Sequence, residues 1–338
     1  MLRVTENVDL SGLSTFRVPA RGRRLAVIDT SADLEELLAR PDFTAGNLLT
    51  LGHGSNILFA GDFDGWLLKI AAADIRIAEQ NEQYIWLDVG AGEDWPALVE
   101  YTVAAGWSGI ENLALIPGTV GAAPVQNIGA YGVELSDVFH SLTAFNLTDG
   151  RVSEYTAAAG GFGYRDSFFK ANPQLVILQV MLRLEKQFMP RLEYGDLAGH
   201  LERSGIAQPT AAAVLAAVSE IRRGKLPDPL QLGNGGSFFK NPVIPAAAAE
   251  NLRSRYPDVP LYVTGTEEFK ISAAWLIERC GWKGKRRGNC GVYEKHALVL
   301  VNYGGASGPE LVRLADDIVD SVRQKFAVTL HPEVKIIR

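Results

Sequence analysis

The sequence predicts an α+β protein with more than one domain, on three observations. Short strand-like segments with few helices between them run to about residue 184. The sequence pattern changes at a proline-rich stretch, Lys225–Pro229, after which glycine-rich segments alternate with predicted helices. The length of 338 residues is enough for two or three domains.

The elements before the boundary begin with a strand at Arg23–Asp29. Thr30 and Asp33 have the spacing of a capping box, which predicts a helix through Leu38. The further predicted elements are the strands Asn47–Leu51, Ile57–Phe59, Trp66–Ile70, Tyr84–Val89, Ser141–Asn146, Arg151–Tyr155 and Leu175–Leu184, and the helix Asp94–Ala105.

The elements around and after the boundary are mainly helices. The predicted helices are Ala211 to about Arg223, Ala246–Tyr256, Ser272–Cys280 and Pro309 to about Phe326. The predicted strands are Ala297–Asn302, Val328–Leu330 and Val334–Ile337.

Composition excludes several classes of partner. The formal net charge is −6 with no long basic run, so nucleic acid and anionic membrane surfaces are poor partners. No apolar segment approaches the roughly 20 residues that span a bilayer, and the start is unlike a signal peptide. Cys280 and Cys290 lack zinc or redox spacing, which predicts reduced thiols in a cytoplasmic protein. No cluster has metal-ligand spacing, so no metal is expected.

The loop Ile116–Gly132 (the central loop) is the most distinctive stretch. It has many glycines, two prolines and almost no charge, which in a soluble domain indicates either a functional or a disordered segment. Its low charge and the polar pair Gln126 and Asn127 argue against disorder. We interpret it as the wall of a site for a large, flat, partly apolar ligand. The alternative is a buried crossover loop that binds nothing.

The turn Gly52–Asn56 superficially resembles a dinucleotide fingerprint. The third glycine is missing, however, and the residues after it are strand-like, so no helix N-terminus can receive a pyrophosphate. Successive backbone N–H groups in such a turn can form an anion-binding nest instead. A plain turn between strands is the alternative.

Three residues are candidates for chemistry. Arg165 is a possible clamp for an anion or enolate, with a structural ion pair to Asp166 as the alternative. Ser237 lacks the neighbouring histidine and the strand–turn–helix context of a serine nucleophile, but its hydroxyl can give a proton to a very basic acceptor such as an enolate. The alternative is a loop serine that caps backbone groups. Glu333, among apolar residues, can serve as an acid or hydrogen-bond partner, or be an exposed turn residue.

Taken in order, the motifs of this chain resemble those of the bacterial UDP-N-acetylenolpyruvoylglucosamine reductase family, type I, over nearly the whole length. They are Leu51–Asn56 (LGHGSN), Glu111–Leu113 (ENL), Ile116–Gly118 (IPG), Gln126–Gly132 (QNIGAYG), Gly163–Ser167 (GYRDS), Lys225–Pro227 (KLP), Gly236–Pro242 (GSFFKNP) and Pro332–Val334 (PEV). Any one motif is weak, whereas the ordered set is specific.

The resemblance implies the FAD-binding fold of vanillyl-alcohol-oxidase (PCMH) type, with two subdomains and a smaller α/β substrate-binding domain. It places the first subdomain at residues 1–72 with the returning strand 326–338, the second at 73–225, and the substrate domain at 226–325. It also implies non-covalent FAD and NADPH as co-substrate for the reduction of UDP-N-acetylglucosamine enolpyruvate to UDP-N-acetylmuramate in peptidoglycan synthesis. We further expect a monomer.

The resemblance also assigns roles. Arg165 and Glu333 are expected to stabilise the enolate formed by hydride transfer from flavin N5, and Ser237 to protonate it. The expected cofactor-binding residues are Gly52, His53, Gly54, Ser55, Asn56, Ile57, Ile116, Pro117, Gly118, Thr119, Gly121, Ala122, Asn127, Gly129 and Ala130. The expected substrate-binding residues are Tyr164, Tyr194, Lys225, Asn241, Tyr262 and His296, where His296 replaces the glutamine of some relatives.

Two alternatives stay open at this stage. One is a flavin oxidase or dehydrogenase on the same fold, against which the GSFFKNP block and the C-terminal glutamate argue. The other is a non-catalytic protein that binds nucleotide sugars, which the presence of all three candidate catalytic residues disfavours.

Overall fold

The computed structural model describes residues 2–44, 46–265 and 267–338, and its mixture of strands and helices confirms the α+β class. The strands are β1 (Arg3–Asp9), β2 (Arg21–Ile28), β3 (Leu48–Leu51), β4 (Ile57–Phe59), β5 (Phe63–Ile70), β6 (Ile75–Gln80), β7 (Tyr84–Gly90), β8 (Gly129–Ala130), β9 (Val133–Glu134), β10 (Phe139–Asn146), β11 (Arg151–Thr156), β12 (Leu175–Glu185), β13 (Gly233–Ser237), β14 (Val243–Pro245), β15 (Leu261–Val263), β16 (Glu268–Ile271), β17 (Arg286–Arg287), β18 (Cys290–Val292), β19 (Val299–Asn302) and β20 (Lys335–Ile337). The helices are α1 (Ser31–Leu38), α2 (Trp95–Ala104), α3 (Ala157–Gly160), α4 (Phe168–Ala171), α5 (Leu197–Arg203), α6 (Ala211–Lys225), α7 (Ala246–Arg255), α8 (Ala273–Arg279) and α9 (Gly308–Phe326).

The chain divides into two compact units. Unit 1 comprises the chain up to Val8, Gly22–His53 and Asp64–Gly224, and unit 2 comprises Asp9–Arg21, Gly54–Phe63 and the chain from Lys225 onward. The boundary at Lys225 coincides with the start of the proline-rich stretch. Two early segments therefore group with the C-terminal part, and the division into three domains stays a prediction.

Unit 1 contains two main sheets. One has the strand order β1-β2-β5-β3, with β3 parallel to β5, and the other has the order β11-β10-β12-β7-β6 with antiparallel pairing. The long strand β12 lies in the middle of the second sheet, and this explains its nearly continuous apolar sequence. Trp66, Trp95 and Phe145 are among the largest fully buried side chains of the unit.

The helix starts in unit 1 follow local capping rules. Thr30 and Asp33 form the predicted capping box before α1, and the Asp33 carboxylate accepts the Thr30 N–H at 2.9 Å. Asp94 caps α2 by accepting the Ala97 N–H at 2.8 Å. Both helices therefore begin close to where the sequence predicts them.

Unit 2 contains the sheet β13-β19-β18-β17, the sheet β14-β16-β15 and the parallel pair β4-β20. α9 buries one face through residues spaced three or four apart, from Leu311 to Phe326. The prediction of a strand at Val328–Leu330 is wrong. Val328 and Leu330 are buried, but the segment after the left-handed residue Ala327 pairs with no strand of the described chain. No helix within residues 2–44, 46–265 and 267–338 has the length and apolarity to cross a membrane.

Candidate functional site

The central loop is fastened in unit 1 to the turn that precedes α2. The N–H groups of Val120 and Gly121 donate to the carbonyls of Glu93 and Ala91, both at 2.9 Å. The Trp95 N–H donates in turn to the Gly118 carbonyl at 3.0 Å. These bonds hold the first half of the central loop against the turn before α2. This half of the loop is therefore ordered, as its low charge predicts.

Free backbone donors gather where the central loop meets the turn at Gly52. In the described chain the N–H groups of Gly52, His53, Gly118 and Thr119 donate no hydrogen bond, and Gly118 and Thr119 are buried. A Cβ on Gly52 would lie 2.6 Å from Thr119 Oγ1, so the two segments touch. Buried N–H groups without an acceptor are rare in folded proteins. This donor set fits a bound phosphate or pyrophosphate.

Gly54 continues the same turn but belongs to unit 2. Its φ is +64°, and a Cβ would lie 1.9 Å from the Leu13 carbonyl oxygen. Only glycine fits this position. Gly54 is buried, and its N–H donates no hydrogen bond in the described chain.

Asn127, an expected cofactor-binding residue, has its side chain engaged by protein groups. It adopts a left-handed conformation with φ of 42°, and its side-chain amide donates to Glu134 Oε2 at 2.8 Å and to the Gly163 carbonyl at 3.2 Å. Its side-chain oxygen accepts the Ser136 N–H at 2.9 Å. These three bonds fix the turn after which β8 begins, a supporting role that the sequence alone did not indicate.

Arg165 is held beside the end of the central loop in unit 1. Nη2 donates to the Gly129 carbonyl at 2.6 Å, and Cζ lies 5.3 Å from the centroid of the Tyr164 ring. The Arg165 carbonyl accepts Lys170 Nζ at 2.8 Å, which braces the turn at Arg165 itself, where φ is +54°. Arg165 is therefore held at both ends, at the guanidinium by Gly129 and at the backbone carbonyl by Lys170.

Ser237 and Glu333 are brought together in unit 2, although they are far apart in sequence. Ser237 ends β13, and the backbone N–H of Glu333 donates to the carbonyl of the next residue, Phe238, at 2.8 Å. Phe239 and Pro332 form an isolated bridge alongside. Both candidate side chains are partly exposed. Arg165 belongs to unit 1.

Two asparagines support this pair, and only one was expected at the site. Asn56 donates from its amide to the Glu333 carbonyl at 3.1 Å, and the Asn56 carbonyl accepts the Lys335 N–H at 3.0 Å. Asn234, buried and not predicted, accepts the Gly236 N–H at 2.9 Å and donates to the Leu232 carbonyl at 2.8 Å. It thereby shapes the glycine-rich turn before Ser237.

The expected substrate-binding residues fall in both units. In unit 1, Tyr164 and Tyr194 are exposed, at 39% and 56%. In unit 2, Tyr262 is also exposed, and Asn241 accepts the Ala273 N–H at 2.9 Å at the start of α8. The tyrosine side chains are exposed to solvent, whereas Asn241 uses its side-chain oxygen within the protein.

His296 has a defined protonation pattern in unit 2. Its Nδ1 accepts the Leu298 N–H at 3.3 Å, so the proton of the neutral ring sits on Nε2. Burial lowers the pKa of His296, and the nearby charges of Lys225 and Lys283 lower it further. The ring is therefore neutral at pH 7 and offers one N–H donor.

Comparison with known proteins gives consistent matches along the chain. Residues 228–337 match the family described as UDP-N-acetylenolpyruvoylglucosamine reductase, C-terminal domain, and residues 23–156 match the FAD binding domain family. The UDP-N-acetylenolpyruvoylglucosamine reductases of Amoebophilus asiaticus and Pseudomonas aeruginosa are each 46% identical to this chain, covering 98% of it and 99% and 98% of themselves. The crystal structure of the enzyme from Thermus caldophilus matches with a TM-score of 0.70 at 25% identity, over 100% of both chains.

The matched FAD-binding domain and the reductase relatives define an FAD-dependent oxidoreductase. The donors at Gly52, Gly118 and Thr119 lie within or directly beside segments of the matched FAD-binding domain, which agrees with a pyrophosphate held by backbone N–H groups. More specifically, the chain belongs to the UDP-N-acetylenolpyruvoylglucosamine reductase family, whose members act in the synthesis of peptidoglycan precursors.

Proposed function

We propose that this protein catalyses the NADPH-dependent reduction of UDP-N-acetylglucosamine enolpyruvate to UDP-N-acetylmuramate. Family membership over nearly the full length supports the reaction. The observation that carries the assignment of residues is the hydrogen bond that joins the Glu333 backbone to the residue after Ser237. It gathers an acid and a hydroxyl from distant parts of the sequence into one local structure.

Arg165, Glu333 and Ser237 have different roles in the proposed reaction. Bound FAD, once reduced, supplies hydride to the β-carbon of the enolpyruvyl group. Arg165 stabilises the negative charge that develops on the enolate and its carboxylate, and Glu333 assists as a hydrogen-bond donor; removing such a donor typically costs about 3 kcal/mol in barrier. The enolate carbon is basic enough to take the Ser237 proton, which completes the lactyl group.

The remaining predicted residues bind ligands. Tyr164, Tyr194, Lys225, Asn241 and Tyr262 are proposed to contact the nucleotide sugar. The neutral His296 ring is proposed to donate Nε2–H to its diphosphate, in place of a glutamine amide. The backbone donors at Gly52, Gly118 and Thr119 are proposed to hold the phosphates of the cofactor. The other expected cofactor residues, from His53 to Ile57 and in the central loop, are proposed to contact the rest of it.

The location and assembly of the enzyme are further parts of the proposal. Cys280 and Cys290 are both free thiols, which supports a reducing, cytoplasmic location. We further propose that the protein acts as a monomer, which size measurement of the holoenzyme tests directly.

The reaction is tested by following the two half-reactions separately. Wild-type holoenzyme is expected to bleach with NADPH and to regain its colour with the enolpyruvyl substrate. Ser237→Ala is expected to keep flavin reduction by NADPH and to lose reoxidation by substrate, measured by stopped-flow absorbance. Ser254→Ala, a helix serine of the same unit, is the matched control and should behave as wild type.

The outcomes separate the alternatives. Equal damage to both half-reactions in Ser237→Ala would count against the serine as the proton donor. Oxygen-dependent oxidation of a hydroxy acid without reduction of the enolpyruvyl group would favour a flavin oxidase. A purified protein that retains no flavin would favour the non-catalytic alternative.

The loop that carries Tyr194 allows a second check. Tyr194→Phe is expected to weaken binding of the nucleotide sugar and to leave FAD content unchanged, measured by calorimetry and flavin absorbance. Loss of FAD in this variant would contradict the assignment.

A further inference from the structure

The Tyr194 segment, residues 187–195, follows β12 and leads towards α5 without regular secondary structure. Within the part of the chain that the structure describes, none of its backbone N–H or carbonyl groups bonds to another backbone group. Leu192 packs against the core of unit 1, but apolar contacts have no direction. Ser108 Oγ reaches the Gln187 carbonyl only at 3.5 Å, which is long for a hydrogen bond. A directed link to the backbone of the segment must therefore come from another side chain.

Asn112 supplies that link. It lies in the helical turn Glu111–Leu113 and is only 1% exposed. Its Nδ2 donates to the Arg191 carbonyl and to the Tyr131 carbonyl, each at 2.8 Å. Both partners are carbonyl oxygens, so the amide nitrogen, which carries two N–H donors, is the atom that faces them. One buried amide thus joins the Tyr194 segment to the end of the central loop.

The Tyr131 carbonyl belongs to the turn of the hairpin that β8 and β9 form. The two turn residues, Tyr131 and Gly132, have φ of +49° and +80°, and positive φ at both positions is typical of a two-residue type I′ turn. Tyr194 packs on this turn, because a Cβ on Gly132 would lie 3.1 Å from Tyr194 Cβ. Asn112 therefore connects the hairpin turn with the segment whose tyrosine lies on it.

The side chain of Arg191 makes a second link to the same hairpin. Its Nη1 pairs with Asp137 Oδ2 at 2.7 Å, and Asp137 ends the helical turn that follows β9. Both side chains of this ion pair are partly exposed, and such pairs contribute little in water. The bonds from Asn112 are shielded by its burial. Asn112 is therefore the stronger of the two anchors.

The remaining polar atom of the Asn112 amide is unsatisfied. Its Oδ1 is shielded from solvent and accepts no hydrogen bond in the described chain. A buried oxygen without a donor offsets part of the stabilisation that the two donated bonds give. The amide therefore contributes less to stability than its burial suggests. Its specific contribution is geometric, because it holds the Arg191 and Tyr131 carbonyls within reach of one nitrogen.

We propose that Asn112 is a positioning residue for Tyr194 and that it raises the affinity for the nucleotide sugar by holding the Tyr194 segment on the hairpin turn. This inference rests on the proposed function, in which Tyr194 contacts the nucleotide sugar. Asn112 is buried, so its effect passes through the short stretch from Arg191 to Tyr194. A tyrosine that is already in place binds its ligand without a further cost of ordering.

The first test is binding of UDP-N-acetylmuramate to the holoenzyme, measured by calorimetry. Asn112→Ala removes both hydrogen bonds and should weaken binding by about 2- to 10-fold, the range for ordering one free side chain on binding. The KM for the enolpyruvyl substrate should rise by the same factor. The kcat, the FAD content and the rate of flavin reduction at saturating NADPH should stay as in wild type.

Asn112→Leu separates positioning from support of the fold. Leucine fills similar space and brings no unpaired oxygen, but it cannot donate to the two carbonyls. Its stability in urea unfolding should exceed that of Asn112→Ala, whereas its affinity for UDP-N-acetylmuramate should be as low. An affinity that recovers together with stability would overturn the inference.

Coupling to Tyr194 is measured with a double-mutant cycle. In a protein that already carries Tyr194→Phe, Asn112→Leu should weaken binding by less than about twofold, because the tyrosine hydroxyl is no longer there to be placed. Asn47→Ala is the matched control. Asn47 Nδ2 also donates to a backbone carbonyl of unit 1, that of Asp64 at 2.6 Å, but Asn47 is exposed, and its loss should leave the affinity unchanged.

The contrary outcomes can be told apart. Fully additive effects of Asn112→Leu and Tyr194→Phe, or normal affinity in Asn112→Leu, would overturn the inference alone. Loss of FAD or slower flavin reduction in Asn112→Leu would also overturn it, since the residue would then support the cofactor site. Normal affinity in Tyr194→Phe would reject the contact assigned to Tyr194 under the proposed function, and this inference with it.

Discussion

Replacing Gly54 with alanine tests how firmly the segment that begins at Gly54 is held within unit 2. Two costs add in this variant. The left-handed conformation costs an alanine about 1–2 kcal/mol, and the new Cβ would sit 1.9 Å from the Leu13 carbonyl oxygen. Relief of that contact requires the backbone to move, which endangers the bond from the Thr15 N–H to the Gly54 carbonyl and the bond from Ser14 Oγ to the Ile57 carbonyl.

The magnitude follows from these contacts. Leaving buried polar groups unpaired costs about 1–3 kcal/mol each, so loss of both bonds together with the conformational cost should lower the free energy of unfolding by about 3–8 kcal/mol. Gly281→Ala is the matched control, because Gly281 has φ of +75° and nothing within 4 Å of its Cβ position. It carries only the conformational cost of about 1–2 kcal/mol.

The assay is urea unfolding followed by circular dichroism, together with flavin fluorescence as a measure of cofactor release. Gly54→Ala is expected to lose FAD at a lower urea concentration than Gly281→Ala, since the displaced turn carries predicted cofactor donors. If the two variants unfold within about 1 kcal/mol of each other, the fit between Gly54 and Leu13 does not constrain the turn, and the argument fails.

Three other predictions follow from single contacts. Asp94→Ala removes the cap of α2 and should lower the free energy of unfolding by about 1 kcal/mol in urea, whereas Glu100→Ala, exposed on the same helix, should change it little. Asn56→Ala removes the bond to the Glu333 carbonyl and should cost about 1 kcal/mol in the same assay; no change would mean that the bond does not form in solution. The pKa of His296 is lowered in the folded protein, so near pH 6.5, the ordinary value, the unfolded chain takes up a proton and the folded protein does not. The contribution of His296 to the free energy of unfolding therefore falls as pH decreases from 7 to 5. His296→Gln should reduce that acid sensitivity in pH-dependent thermal unfolding, and an unaltered profile would contradict the assigned environment.

Sequence patterns predicted the elements whose causes are local. The capping box at Thr30 and the apolar spacing of α9 gave both helices within a residue or two. β1 and β6 were missed because they are edge strands with mostly exposed side chains, and much of their short sequence is polar or charged.

The candidate site was predictable as residue types but not as an assembly. Sequence motifs identified Ser237 and Glu333 as candidates. The hydrogen bond from the Glu333 N–H to the Phe238 carbonyl, which brings their segments together, depends on long-range pairing that no local pattern shows. The grouping of Gly54–Phe63 with the C-terminal part likewise had no local indication.

The parallel pairing of β4 with β20 has a consequence for biosynthesis. Ile57–Phe59 leave the ribosome early, but their partner, Lys335–Ile337, is made some 276 residues later. At about 5–20 residues per second, this strand waits for roughly 15–55 s before its edge is covered. During that interval the apolar strand after the turn Gly52–Asn56 is open to aggregation or chaperone binding, while most of unit 1 has already been synthesised.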